Sequence, residues 1–294
     1  MIPLLPALLL LLQAIITVHT ELVVVTAVVT DARGLHVTGL VQENFQVFED
    51  GQLRPTAVFQ QGDAPFTMGL VIDRSQSMRP KTPALVVAVS ALLKLIHKDD
   101  ELFAVDFNDR VSFELPKDHP FTSDTNALEA ALLNVRAEGQ TALYDGVAEG
   151  LLQLRAGHGE RRALIVISDG GDNISRRKYV DVLALARQSD AVIYAIGLLG
   201  DSSGEEEEDE GLLKRLCKET GGVAYFPRTT AEIAAVSAQV AADLREQYTL
   251  GFSPRDGADA RAFHKVEVKV TVEGRGRLNV RTRAGYLSAA RPKP

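Results

Sequence analysis

The sequence predicts a doubly wound, Rossmann-like α/β domain with a mostly parallel sheet, inserted in a small β-rich domain. Three observations predict it. Between residues 66 and 246, short unbroken apolar runs alternate with stretches of helical spacing. That alternation is the pattern of a parallel sheet covered on both faces. The two flanking sections are instead rich in β-branched residues, and neither is large enough to enclose a core alone. They are therefore expected to pair with each other around the middle. The resulting division is 1–20 as signal peptide or membrane anchor, 21–65 and 247–288 as the two parts of the β domain, 66–246 as the α/β domain, and 289–294 as a tail.

The elements follow in order. Residues 2–18 (IPLLPALLLLLQAIITV) carry no charge. The run is short for a membrane span, which needs about 20 apolar residues, and suits the apolar core of a signal peptide. No Lys or Arg precedes it, and Val18-His19-Thr20 is only a tolerable cleavage triplet. Export, or an uncleaved anchor, is the expectation. Residues 21–30 (ELVVVTAVVT) read as a strand ended by the turn at 31–34. Residues 44–48 alternate, Glu49-Asp50-Gly51 makes a turn, and 56–60 is expected as the returning strand.

The run 67–72 (TMGLVI) opens the α/β section as a strand buried on both faces. A helix is expected over 82–97, a strand over 102–107, and a hairpin partner over 111–115 after the turn Asn108-Asp109. Helices over 126–135 and 142–154 precede the apolar strand 162–168 (RALIVIS). Helix 178–188, strand 191–198, helix 212–219, strand 223–226 and helix 231–245 complete the alternation. Strands are then expected over 248–252, 264–272 and 278–282. The second of these (HKVEVKVTV) alternates strictly, so it is half-buried in an antiparallel sheet.

Composition removes several classes. The chain has 294 residues, one cysteine and a net charge of −7. A single cysteine, Cys217, excludes an internal disulfide and a cysteine-cluster metal site; it reads as a packing residue. The acidity comes from Glu205, Glu206, Glu207, Glu208, Asp209 and Glu210. This block is expected to be a mobile surface loop held open by its own repulsion. The acidic balance gives no reason to expect a nucleic-acid partner. There is no phosphate-binding glycine loop, no nucleophile elbow and no H-E-x-x-H pattern.

In doubly wound sheets, ligands bind outside the carboxyl ends of the strands where strand order reverses. The first buried strand runs into Asp73-Arg74-Ser75-Gln76-Ser77, and RALIVIS runs into Asp169-Gly170-Gly171-Asp172-Asn173. Gly139-Gln140-Thr141 precedes a helix and offers a further hydroxyl. The set is all oxygen, which suits a hard cation such as Mg²⁺.

Asp73-x-Ser75-x-Ser77, Thr141 and Asp169, in this order, resemble the metal-ion-dependent adhesion site of von Willebrand factor type A domains. The likeness covers about residues 66–246. Val37-Thr38-Gly39-Leu40, FQVFEDG at 45–51 and QYTLGFSP at 247–254 resemble an exported bacterial group of such proteins, termed VWFA-related. The resemblance implies that Ser75, Ser77 and Thr141 offer hydroxyls to Mg²⁺ or Mn²⁺, with Asp73 and Asp169 acting directly or through water. It further implies a binding or adhesion protein, not an enzyme, whose protein ligand presents an acidic side chain to complete the metal shell. Export is expected, to a periplasmic, extracellular or membrane-anchored position, with the N-terminal apolar segment as a candidate tether. An envelope scaffold with a structural metal is the alternative, and a hydrolase acting through Ser75 or Ser77 a more distant one. Arg74 and Gln76 stand where relatives more often carry small residues. Gln76 is expected to crowd the loop, Arg74 to assist an acidic ligand or face solvent, and Asp172 to sit behind the site or in solvent.

Overall fold

The computed structural model describes residues 22–133, 136–198, 205–255 and 262–288. The expected export segment 1–20 and the tail 289–294 lie outside the described residues. Strand β1 (Val23–Thr30) buries Val25, Ala27 and Val29 on one side. A hairpin of β2 (Phe45–Glu49) and β3 (Gln52–Arg54) follows. Its turn residues Asp50 and Gly51 have φ of 49° and 80°, the left-handed pair whose twist matches the flanking strands. The sequence had suggested that 56–60 returns along β2. β3 takes that place instead, and β4 (Thr56–Gln60) crosses to another sheet. Pro55 separates the two; it has no N–H to give to a ladder.

The α/β region comprises β5 (Phe66–Asp73), α1 (Thr82–Leu93), β6 (Glu101–Phe107), β7 (Val111–Phe113), α2 (Thr125–Leu133), α3 (Leu143–Leu154), β8 (Arg161–Ser168), α4 (Tyr179–Gln188), β9 (Val192–Gly197), α5 (Glu205–Thr220), β10 (Ala224–Tyr225) and α6 (Thr230–Arg245). Its sheet has the order β10-β9-β8-β5-β6-β7, with β7 antiparallel at one edge. Every residue of β5 is buried, as a central strand covered on both faces requires. Met68, Leu70 and Ile72 face Val89 of α1, Leu128 of α2 and Val240 of α6. Val71, Val105 and Val166 share the opposite core with Val147 of α3, Val182 of α4 and Leu213 and Cys217 of α5. From β5 the chain runs outward to β6 and then crosses back to place β8 on the other side. Strand order therefore reverses between β5 and β8.

The acidic block at 205–210 is not a loop; it forms the first turns of α5. Carboxylates at a helix N-terminus meet the positive end of the helix dipole, and Glu210 pairs with Lys214 one turn later.

The chain closes with β11 (Tyr248–Phe252), β12 (Phe263–Val270), β13 (Asn279–Thr282) and β14 (Gly285–Leu287). Two four-stranded sheets result, β13-β1-β11-β4 and β14-β12-β2-β3, and strands from both chain ends take part in each. They sandwich one core containing Val25, Val47, Leu250, Phe252 and Val268. The hydroxyl of Tyr248 ties β11 to the loop after β1, donating to the Val37 carbonyl at 2.8 Å and accepting from the Leu40 N–H at 3.1 Å. α6 is fastened to the sandwich by Asp243, which is fully buried, accepts from His36 Nε2 at 2.7 Å and pairs with Arg281. Arg161, at the start of β8, donates to the carbonyls of Leu244, Arg245 and Gln247 at 3.1–3.4 Å. It thereby satisfies groups that the end of α6 leaves without helical partners.

Candidate functional site

The carboxyl ends of β5 and β8 lie side by side at the point where strand order reverses. Asp73 ends β5 and is fully buried. Its Oδ1 accepts the Ser75 N–H at 2.8 Å, and its Oδ2 accepts the hydroxyl of Ser168, the last residue of β8, at 2.6 Å. Ser168 Oγ in turn accepts the Gly170 N–H at 2.9 Å. Burial, and then the neighbouring charge of Asp169, push the Asp73 carboxyl up to about 6, against the hydrogen bonds from Ser168 and Ser75. The loop after β5 coils into a short 3₁₀ turn (Gln76–Lys81). This brings the hydroxyls of Ser75 and Ser77 to 3.0 Å. Ser75 is buried and Ser77 exposed, so the pair opens toward solvent on one side.

Thr141 is held through its backbone. Gln76 N–H donates to the Gly139 carbonyl at 3.0 Å, joining the two loops. Gly139 has φ of 82°, and a Cβ there would stand 2.6 Å from Asp109 Oδ2. Asp109 Oδ1 accepts the Gln140 N–H at 2.8 Å, and Thr141 N–H donates to Asn173 Oδ1 at 2.9 Å. Thr141 is thus pinned, buried, between the turn after β6 and the loop after β8. Asp169, one residue beyond β8, pairs through Oδ2 with Lys81 Nζ at 2.9 Å.

The structure therefore links Asp73, Ser75 and Ser77 in one hydrogen-bonded chain, sets Asp169 within electrostatic reach of Asp73, and fixes Thr141 on the adjoining loop. Three expectations about their neighbours change. Arg74 neither faces solvent nor awaits a ligand. It is buried, its Nε donates to Asp106 Oδ2 at 3.0 Å, and its Nη2 donates to the Leu132 carbonyl. A strand-end loop that must be rigid on its underside gains from such an anchor. Gln76 is exposed and does not crowd the loop. Asp172 caps α3, its Oδ1 accepting from Tyr144 N–H at 3.0 Å and Ser175 Oγ at 2.6 Å. Ser168, Asp109, Asn173 and Lys81 are not among the expected site residues, although Asp109 stands in the expected turn after β6 and Asn173 in the loop after β8. A hydroxyl closing an apolar strand was the available signal for Ser168. Lys81 offered only its spacing, four residues after Ser77.

The donor chemistry fits a hard divalent cation. All donors are oxygen, and the 3.0 Å between Ser75 and Ser77 matches the edge of an octahedron with bonds of about 2.1 Å. Two carboxylates stand close enough to raise one of them, which is the electrostatic setting a dication relieves. Among the described residues no three His, Cys, Asp or Glu side chains gather as a metal-holding group, so this set depends on its hydroxyls.

Fold and loop geometry together define a class, a doubly wound α/β domain with polar loops at its switch point. Residues 68–171 match the family model of the von Willebrand factor type A domain, and the α/β region has the fold of that domain. A von Willebrand factor type A protein from Catenulispora acidiphila superposes with a TM-score of 0.53 at 12% identity, covering 85% of this chain and 75% of its own. Proximal thread matrix protein 1 from the mussel byssus gives 0.52 at 18% identity, covering 67% and 51%. The pilus adhesin SpaC from Lactobacillus rhamnosus GG, in its open conformation, gives 0.50 at 11%, covering 88% and 49%. The chain thus spans about half the length of the last two. No curated protein matches the sequence.

Proposed function

We propose that the protein is a binding or adhesion module, not an enzyme, whose site holds Mg²⁺ or Mn²⁺ and captures an acidic side chain of a protein ligand. The observation that carries this reading is the buried Asp73, bonded to Ser75 beside the Ser75–Ser77 hydroxyl pair and raised by Asp169. Asp73, Ser75, Ser77, Thr141 and Asp169 would hold the ion, and the ion would supply an electrophilic point for a partner's carboxylate. Mg²⁺ seeks six oxygens, so a ligand oxygen completes the shell. A cleft of about 640 Å³ lined by Asp109, Val111, Phe113, Ala142, Asp145 and Arg177 lies next to the Thr141 loop. It offers surface for residues flanking that carboxylate. A binding role also accords with the histidines: the five in the described region pair with Asp243, Asp63, Asp118, Glu101 and Asp50, away from Ser75 and Ser77. Export belongs to the same reading. It rests on the apolar run 2–18 and on the pilus adhesin among the structural neighbours. Among the described residues no helix is long and apolar enough to cross a membrane.

An ion that binds only the folded state stabilises it by about 2.7 kcal/mol at a hundred times its dissociation constant. Thermal unfolding should therefore shift upward with Mg²⁺ or Mn²⁺ and return in chelator. Asp73→Ala should abolish the shift, and Thr141→Ala should weaken it less, because a neutral hydroxyl holds a dication less strongly than a carboxylate. An Asp73→Ala protein with the parent's ion response would refute the assignment.

A further inference from the structure

We propose that Lys81 is a tethered counter-cation of Asp169, and that a divalent ion must displace its ammonium to bind. The proposal rests on the divalent-ion reading above and names the residue that sets the affinity of that site.

Lys81 closes the 3₁₀ turn that carries Ser77 and precedes α1. Its Nζ lies 2.9 Å from Asp169 Oδ2, and the two side chains are only 19% and 13% exposed. Water and salt therefore screen the pair far less than a surface contact. Among the described residues Asp169 is the acid within ion-pair distance of Lys81. The charges then sort the states. With Asp73, Asp169 and Lys81 all ionised, the ion-free site carries one net negative charge. A dication added with Lys81 in place would make it positive and set two cations against one carboxylate. With the ammonium withdrawn, the site is neutral. The lysine stem is flexible and partly exposed, so the ammonium can swing to water without unwinding the turn. Lys81 thus has opposite effects in the two states. Without an ion it compensates Asp169. In the presence of one it competes.

The test uses the full chain with Mg²⁺ alone as probe, read by titration calorimetry and by thermal unfolding in chelator. Lys81→Gln and Lys81→Met both remove the charge, and the second keeps the apolar stem. Each should bind Mg²⁺ at least about tenfold more tightly than the parent. Each should also melt below the parent in chelator, with the gap closing or reversing in saturating Mg²⁺. Lys81→Arg keeps the charge and should bind no tighter than the parent. Neutral variants that bind Mg²⁺ equally or more weakly would overturn the proposal while leaving the ion reading intact. A merely structural lysine would lower the melting point in both conditions and leave affinity unimproved. A parent protein that binds no Mg²⁺ at all would instead remove the ion reading, and the displacement with it.

Discussion

Asp73 is a buried carboxylate whose hydrogen bonds from Ser75 and Ser168 do not offset the cost of its burial. Burial and Asp169 raise it to about 6 from an ordinary value of 3.8. Between those two values the folded chain holds a proton that the unfolded chain has lost. The Asp73 contribution to stability in chelator therefore falls as pH rises from about 4 to about 6, and stays lowered above that. Asp73→Asn keeps the shape: its carbonyl still accepts from Ser75, and its amide donates to Ser168. The parent should lose about 1–3 kcal/mol more than this variant across the window, measured by urea unfolding at a series of pH values. Parallel curves would assign the titration elsewhere. The positions of Asp73, Ser75, Ser77 and Asp169 at the carboxyl edge of the sheet were legible in the sequence, because they follow the apolar runs of β5 and β8, whereas Thr141 was read only from its place ahead of a helix. What escaped was the support. Ser168 looked like the last letter of a strand, and Lys81 gains meaning only when the 3₁₀ turn swings it onto Asp169. Arg74 was misread because its partner, Asp106, lies on the neighbouring strand β6, and nothing local announces that pairing.

Unbroken apolar runs predicted β5, β8 and β9, and strict alternation predicted β12, because burial leaves period and composition as its trace. Three elements were hidden, two by their length and one by its charge. β3 is three residues long between a turn and Pro55, and β14 has three residues, both too short to show a period. The start of α5 was hidden by charge: six carboxylates read as repulsion when taken alone and as dipole complement at a helix N-terminus. Replacing Glu205, Glu206, Glu207 and Glu208 by Lys should reverse that complement. Each charge near a helix end is worth about 0.3–1 kcal/mol, so a loss of about 1–3 kcal/mol is expected at low ionic strength. The difference should shrink in 0.5–1 M salt, where screening shortens to roughly 3–5 Å. A salt-independent loss would show that packing, not the helix field, is responsible.

For the molecule as a whole, both ends of the sequence build one sandwich while the middle builds another core. Asp243 is the buried joint between them, holding His36 and Arg281. Asp243→Ala leaves Arg281 without its buried acid, a change that costs about 3–5 kcal/mol in comparable pairs. Asp243→Asn retains an acceptor and should cost less. Denaturant unfolding checks both, and an Asp243→Ala protein as stable as the parent would show the joint to be dispensable.

The α/β region leaves the sandwich after β4 and rejoins it at β11, and these two strands are antiparallel neighbours, Gln60 opposite Thr249. A force applied at the carboxyl end of the eight-residue strand β5 therefore tugs on two adjacent covalent lines at once. Tension divides between them, and the pair resists the swivelling that a single linker permits. On the sandwich side both lines end in strands of one sheet, bound to each other and, through β11, to β1. Force arriving there must shear several ladder bonds together, which is the stiffer direction of a sheet, before either line can lengthen.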